Sequence, residues 1–492
     1  MNLHKPLHSV LFIGLIVGSI YLSPLISPSM FDEINKIELA PPPVWSELLD
    51  EEKIVETPEI TIITDSVPND TLGLQCNQLD SVLGNIPIVL NRWRPSYDTI
   101  EVSDDLKFHG NHEAFEKLGM FFTLIEKIHS TDNSPIHVFH FGDSQIECDR
   151  ITGAIRSSWQ KSWGGSGPGL IPLIQPVPAL SIRQNYSGNI SRYTRFGLVD
   201  STLEHSCYGA MAAFCRVHDY GTLSLWPHPQ GFKLNKSWAS IEIGIGSAPL
   251  GGDVVIRGDI TPDIHLHIPP SKVGNHKLIK ADLSGQEEEL TIEFEGYEMD
   301  VTAIRLGTNY GIQVHNVPMR GSAGMIFRKL DENHFRKYMN AWDVGLMIFQ
   351  YGGNAVPYIS DSTEADRYAK RFASQLRYLQ KINPGTPIIV IGPSDMGATI
   401  DSSNITYPML GPIRAALKKH IVNEGCLYWD LSEVMGGAGS METWSKTEPR
   451  LSSPDLIHFT SNGARKVGEL FDFMFRYEHR KWANRVNHEK KD

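Results

Sequence analysis

The chain has 492 residues, 41% of them hydrophobic, which is enough for a sizeable core and roughly two to four structural units. Its formal charge of −12, with 45 Lys and Arg scattered among 57 Asp and Glu, argues against a nucleic-acid surface. Five cysteines with no paired C-x-x-C spacing give neither a zinc site nor a disulfide framework, and leave Cys207 and Cys215 as one candidate bridge in an oxidising compartment.

Residues 9–26 carry no charge and follow Lys5. Their length suits a membrane span of roughly 17–25 residues, although Pro24 and Pro28 would end the helix early. No small-x-small site stands clearly after the apolar run, so the expectation is an uncleaved signal-anchor over 1–26, with a cleaved signal as the alternative. The body would then face the periplasm as an inner-membrane-anchored protein, or be secreted to the cell envelope. A linker follows over 27–105. Between Asp32 and Asp70 it holds eleven acidic residues against Lys36 and Lys53, a net of −9, with Pro41, Pro42 and Pro43 in the middle. That composition predicts an extended, solvated tether.

The segment 111–129 places Phe115, Leu118, Phe122, Ile125 and Ile128 on one helical face and predicts a packing helix. It leads into Val138, Phe139 and Phe141, a buried strand that runs straight into Gly142, Asp143 and Ser144. Glycine permits a sharp turn there, which would expose Ser144 at the strand's C-terminal end. A helix expected over 146–162 would bring the Ser144 N–H close to a helix N-terminus, an anion-stabilising donor. Asp143 reads as a turn-bonding carboxylate, and Cys148 as a small packed residue on the following helix. His137 and His140 fall on opposite faces of the strand, which speaks against a shared metal.

The glycines of 164–169 lack the Lys-Ser/Thr of a phosphate loop and read as the turn leaving the first helix. Alternating segments at 240–246, 253–259, 263–269, 277–283, 289–295 and 301–307, with Gly, Pro and Asp between them, predict an antiparallel β-sandwich over 179–308. Tyr186, Tyr193, Trp226 and Trp238 are candidate sugar-stacking platforms in it, with core packing as the alternative. A doubly wound pattern then resumes: strand 344–353, helix 361–381, strand 386–395, helix 410–423, strand 426–431 and helix 461–476. A solvated basic end follows, with 481–492 as tail.

Near the end, Asp455 and His458 stand three residues apart. On one helical turn or tight loop both side chains can point the same way, so that the carboxylate fixes the imidazole's tautomer and orientation. Ser144 thereby gains a candidate base and orienter.

Gly142-Asp143-Ser144, the glycine-bearing turn from Asn316 to Gly321, Gly352-Gly353-Asn354 after a strand, and Asp455 with His458 resemble, in content and order, the four blocks of the SGNH (GDSL-type) hydrolases. The resemblance covers about 130–175 and 310–470. It implies a flavodoxin-like, three-layer α/β hydrolase domain in two parts, 106–178 and 309–480, interrupted by the β-sandwich. It further implies a serine esterase with a triad of Ser144, His458 and Asp455, and an oxyanion hole from the Ser144 N–H, the Gly321 N–H and the Asn354 side chain. No cofactor or metal is implied. Gln145 replaces the leucine of the family's name, and Ala355 replaces a carboxylate whose usual role is structural. The first-block run and the long β-rich insertion are similar to bacterial peptidoglycan O-acetylesterases, which implies an acetylated polysaccharide as substrate and a β domain able to bind glycan. His315, just before the second-block turn, is expected either to line the site or to pack. An O-acetyltransferase using the same triad and a non-catalytic glycan-binding scaffold are the alternatives, the second disfavoured because all four block residues are present.

Overall fold

The computed structural model of the chain describes residues 102–128, 134–400 and 403–489. The apolar segment 9–26 lies outside these residues, as does most of the 27–105 linker. Val102 is already buried, so packed structure includes the last few residues assigned to that linker. Among the described residues no helix is long and apolar enough to cross a membrane.

The chain opens with α1 (His112–Lys127), β1 (Ile136–Gly142), α2 (Arg150–Trp163) and β2 (Gly169–Ile171). A β-rich stretch follows: β3 (Ile182–Thr194), β4 (Ala213–Pro227), β5 (Ser240–Ser247), β6 (Gly252–Gly258), β7 (Ile264–Ile268), β8 (Lys277–Asp282), β9 (Leu290–Glu295) and β10 (Met299–Gly307). Then come β11 (Ile312–Pro318), α3 (Glu332–Ala341), β12 (Val344–Gln350), α4 (Ser362–Ile382), β13 (Ile388–Ile391), β14 (Gly397–Ile400) and β15 (Ser403–Thr406). The chain closes with α5 (Leu410–Asn423), β16 (Leu427–Trp429), α6 (Leu431–Met435), α7 (Ser440–Ser445) and α8 (Ser461–Glu489).

Five strands form a parallel sheet in the order β11-β1-β12-β13-β16. Ranked by appearance in the chain this order is 2-1-3-4-5, the doubly wound arrangement whose direction of winding reverses between its first and third strands. Here that switch point lies between β1 and β12. Gly142 pairs with Pro318 on one side and Gln350 on the other, so the chain leaves all three strands at the same edge.

The sheet is covered on both faces. Val138, Val314, Leu346, Ile348 and Trp429 pack under Phe121 of α1, Trp159 of α2, and Phe471 and Phe475 of α8. Alternate residues point the other way: Phe141 stacks on Phe349 at 5.1 Å and meets Phe327 edge-on at 5.4 Å, and beyond them Tyr351 lies 6.0 Å from Phe372 of α4. Period-two alternation thus feeds two cores from one strand. A buried ion pair ties α2 to the sheet. Arg156 reaches Asp149 at 2.6 and 3.0 Å and donates its third bond to the Val314 carbonyl at 2.6 Å, which satisfies a charge that would be costly alone.

The remaining long strands form a nine-stranded antiparallel sheet with a core of its own, including Trp238, Ile243, Phe294 and Leu306. Its hydrogen bonding is continuous where a sandwich of two sheets was expected. The reason lies in β4, which pairs with β10 through Cys215–Val217 and with β9 through Tyr220–Leu225, so one strand serves both halves.

Several expectations change. Trp238 is fully buried with its Nε1 donating to the Asn235 carbonyl at 2.7 Å, so it offers no stacking face, whereas Tyr186 is exposed. Tyr193 stacks on Phe214 at 5.1 Å, and Trp226 lies under Arg183 at 5.8 Å. Cys207 and Cys215 are free thiols. The 164–169 turn packs at the opposite end of the sheet from Ser144: a Cβ on Gly167, whose φ is +92°, would stand 2.4 Å from the Gly307 Cα, and one on Gly165 would stand 2.8 Å from the Ile312 carbonyl oxygen. Close backbone approach explains those glycines. His315 packs. Its Nδ1 accepts from the Leu170 N–H at 3.1 Å and its Nε2 meets His137 Nδ1 at 2.8 Å, and burial pushes both imidazoles far down, His137 to about 3. The terminal helix runs unbroken to Glu489, through most of the expected tail.

Candidate active site

The end of β1 is pinned on both sides. The Gly142 carbonyl accepts from the Met319 N–H at 2.7 Å, and the Asp143 N–H donates to the Gln350 carbonyl at 3.3 Å. A Cβ on Gly142 would press Ile146 at 3.0 Å and the Gln350 carbonyl at 3.1 Å, so the smallest residue is required where the chain turns. Ser144 then opens a short 3-10 segment, Ser144–Asp149, and not the α-helix expected from 146. Cys148 and Asp149 adopt left-handed backbone (φ 61° and 57°), which kinks the chain before α2 starts at Arg150. Cys148 therefore belongs to the kink and not to the helix.

An imidazole arrives from the loop before α8. Ser144 Oγ lies 3.0 Å from His458 Nε2, and His458 Nδ1 lies 2.7 Å from Asp455 Oδ2. Asp455 Oδ1 accepts the Ile457 and His458 backbone N–H groups at 2.9 and 3.0 Å, which closes the loop on its own carboxylate. Burial works against charge on Asp455; bonds from the His458 ring and from those two N–H groups overcome it and hold the carboxyl below its usual range. An ionised Asp455 requires a proton on His458 Nδ1. That leaves the Nε2 lone pair facing the Ser144 hydroxyl.

Three contacts aim this loop. The Leu456 carbonyl accepts from the Gly397 N–H at 2.7 Å, Arg150 donates to the Phe459 carbonyl at 2.9 Å, and Gln145 Nε2 donates to the Ile457 carbonyl at 2.7 Å. Gln145 thus ties the Ser144 turn directly to the histidine loop.

The turns at 316–321 and 352–354 border the same segment. Arg320 holds Glu147 with bonds of 2.9 and 2.6 Å, which couples the residue before Gly321 to the residue three after Ser144. Gly321 has φ 73°, and a Cβ there would meet nothing within 4 Å. Asn354 follows Gly352 (φ 123°) in a 3-10 turn, and its Nδ2 donates to Asp143 Oδ2 at 3.0 Å and to the Ser322 carbonyl at 3.2 Å. Both amide hydrogens are therefore engaged. Asn316 is buried and structural, accepting from Thr152 at 2.6 Å and donating to the Ile146 carbonyl at 3.1 Å.

Asp143 is buried between two donors, the Asn354 amide and the Gln145 N–H, the latter at 3.0 Å. Burial pushes its carboxyl up to about 6, with the Gln145 N–H and the nearby His458 opposing. A folded-state value above the unfolded one means that this group stabilises the fold below about pH 4 and that the contribution is lost as pH rises through about 6. The stability of the wild type minus that of Asp143→Asn should accordingly fall by on the order of 2 kcal/mol between pH 4 and pH 7, whatever its constant offset. Urea unfolding of both proteins across that range measures it, and a flat difference would show Asp143 ionised throughout.

Among the described residues, no group of three or more His, Cys, Asp and Glu side chains is placed to hold a metal ion. What the site offers is a hydroxyl hydrogen-bonded to an oriented imidazole, at the carboxyl edge of a doubly wound sheet beside its switch point. In open α/β sheets ligands bind at that edge.

No protein-family model and no curated protein sequence matches the chain. Solved structures do. A peptidoglycan O-acetylesterase superposes with a TM-score of 0.59 at 16% identity, over 76% of this chain and 99% of that one. A family 2 carbohydrate esterase with a carbohydrate-binding domain from Corynascus thermopiles (Myceliophthora fergusii) matches at a TM-score of 0.26 and 10% identity, over 59% of this chain and 99% of the other. The family 2 carbohydrate esterase of Cellvibrio japonicus gives 0.22 and 10%, over 61% and 99%. At these identities the first likeness is one of fold, and the other two are too distant to bear on it.

Proposed function

We propose that this protein is a serine esterase that removes O-acetyl groups from a cell-envelope polysaccharide. The reading rests on the hydrogen-bonded chain Ser144–His458–Asp455 at the carboxyl edge of the sheet. The shared fold with a peptidoglycan O-acetylesterase supports a polysaccharide substrate, and the apolar segment 9–26 favours an envelope location with the body outside the cytoplasm.

In this mechanism His458 Nε2 takes the Ser144 proton as Oγ attacks the ester carbonyl, and Asp455 stabilises the imidazolium that forms. His458 then returns the proton to the departing sugar oxygen. A water, activated by the same imidazole, clears the acetyl group from Ser144 as acetate. Negative charge on the carbonyl oxygen is met by the Ser144 and Gly321 N–H groups and by Asn354. Asn354 must first release one of its two acceptors, and the longer bond, to Ser322 at 3.2 Å, is the one to yield.

The test is acetate release from O-acetylated peptidoglycan and O-acetylated xylan, with Ser144→Ala as control. Serine-dependent release supports the esterase and ranks its substrate. Acetyl transfer to an added sugar acceptor without net acetate release would replace it with the transferase. Gly321→Ala probes the oxyanion assignment: no atom obstructs the new methyl, but left-handed backbone costs it about 1–2 kcal/mol and shifts the N–H. We expect kcat to fall about 10- to 100-fold with KM little changed. Steady-state kinetics on a nitrophenyl acetate distinguishes this from a loss confined to KM, which would make Gly321 a binding residue only.

A further inference from the structure

Behind the histidine loop the surface opens into a cleft of about 620 Å³, bordered by Asn404, Tyr407, Lys446, Arg450, Ser452 and Asp455. It is separated from the nucleophile by one imidazole ring, because Asp455 forms part of its wall and His458 bridges Asp455 to Ser144.

The charges in this cleft are unequally compensated. Asp455 spends its carboxylate on His458 and two backbone N–H groups. Lys446 is paired with Glu442 at 2.8 Å. Arg450 is exposed, and its guanidinium has no hydrogen-bond or ion-pair partner among the described residues, although its carbonyl is fixed by Thr460 at 2.6 Å. The backbone is held while the cation is free. A planar guanidinium on an anchored backbone, at the mouth of a polar cleft, fits a carboxylate bidentately.

We propose that this cleft is a subsite for a carboxylate-bearing unit of the glycan substrate, with Arg450 as the residue that recognises the carboxylate. The inference rests on the esterase reading and narrows its substrate to acidic glycans. The carboxylate can stand on the sugar itself or on a peptide attached to it, and both present the same group to Arg450.

Kinetics of the full chain and its Arg450→Gln and Arg450→Lys variants on three acetyl esters test it: nitrophenyl acetate, an acetylated neutral cello-oligosaccharide, and acetylated peptidoglycan fragments with their peptides intact or removed. The expected result for Arg450→Gln is a loss of about ten-fold in kcat/KM on the acidic fragments, mainly through KM and reduced by added salt, with the two neutral esters unchanged. Arg450→Lys should recover part of it. Persistence of the effect after peptide removal assigns the carboxylate to the sugar, and its disappearance assigns it to the peptide; both support the subsite. Equal rates of Arg450→Gln and wild type on the acidic fragments, or an equal loss on all three esters, would overturn it. Absence of serine-dependent hydrolysis of nitrophenyl acetate by the wild type would instead sink the esterase reading on which it stands.

Discussion

Replacing Ser144 by alanine should lower ester hydrolysis by about 10⁴-fold or more while leaving the unfolding transition essentially in place. The expectation comes from what the hydroxyl does in the folded protein. Its Oγ is bonded to His458 Nε2 at 3.0 Å, and the loop carrying His458 is held independently through Gln145, Arg150 and Gly397. Removing the oxygen therefore deletes the proposed nucleophile while leaving His458 in place. Stopped assays for acetate beside a thermal melt measure both halves. A loss of only a few-fold would mean that another group attacks the ester.

Asp455→Asn should cost about 10³-fold in kcat, for a reason that concerns one proton. The Ile457 and His458 N–H groups require an oxygen at the Oδ1 position, so the new amide nitrogen must occupy the place of Oδ2, 2.7 Å from His458 Nδ1. Donor then faces donor unless the imidazole moves its proton to Nε2. In that tautomer it points a hydrogen at Ser144 and cannot accept one. The half-exposed position of Asp455 admits water, which places the effect below that of a fully buried orienting carboxylate. Nitrophenyl acetate kinetics with a binding measurement on an unreactive glycan check it: kcat should fall while affinity holds. A variant within ten-fold of wild type would show that Asp455 shapes the loop but does not set the tautomer.

Much of this arrangement was legible in the sequence because burial alternates with period two in the strands that matter. Val138, Phe139 and Phe141 announce β1, and all six segments read from alternation between 240 and 307 are strands. The long β3–β4 hairpin was not read. Along β3 the residues from Asn185 to Asn189 are exposed, so no apolar face marks it, and its partner β4 alternates only in part, with Val217, Leu223 and Leu225 buried. The kink at Cys148 and Asp149 was hidden for a similar reason, since the apolar residues from Ile151 onward fit a helix that could begin several residues earlier. Gln145 and Asn354 carry a different lesson. Their types can be read, but their partners, the Ile457 carbonyl on the loop before α8 for one and Asp143 with the Ser322 carbonyl for the other, lie far away in sequence and come together only when those segments fold against the end of β1. Trp238 looked like a platform because an aromatic in a polar stretch has no mark of burial; the core of the antiparallel sheet claims it.

In the proposed esterase Ser144 is an activated nucleophile whose base is His458. Treating the protein with a serine-directed fluorophosphonate, then mapping the adduct by intact mass and peptide sequencing in wild type and His458→Ala, tests it most directly. One adduct per chain is expected, on Ser144, forming at least about 10²-fold more slowly without the imidazole. An unlabelled Ser144 in the folded wild type, or labelling at the same rate in His458→Ala, would contradict it.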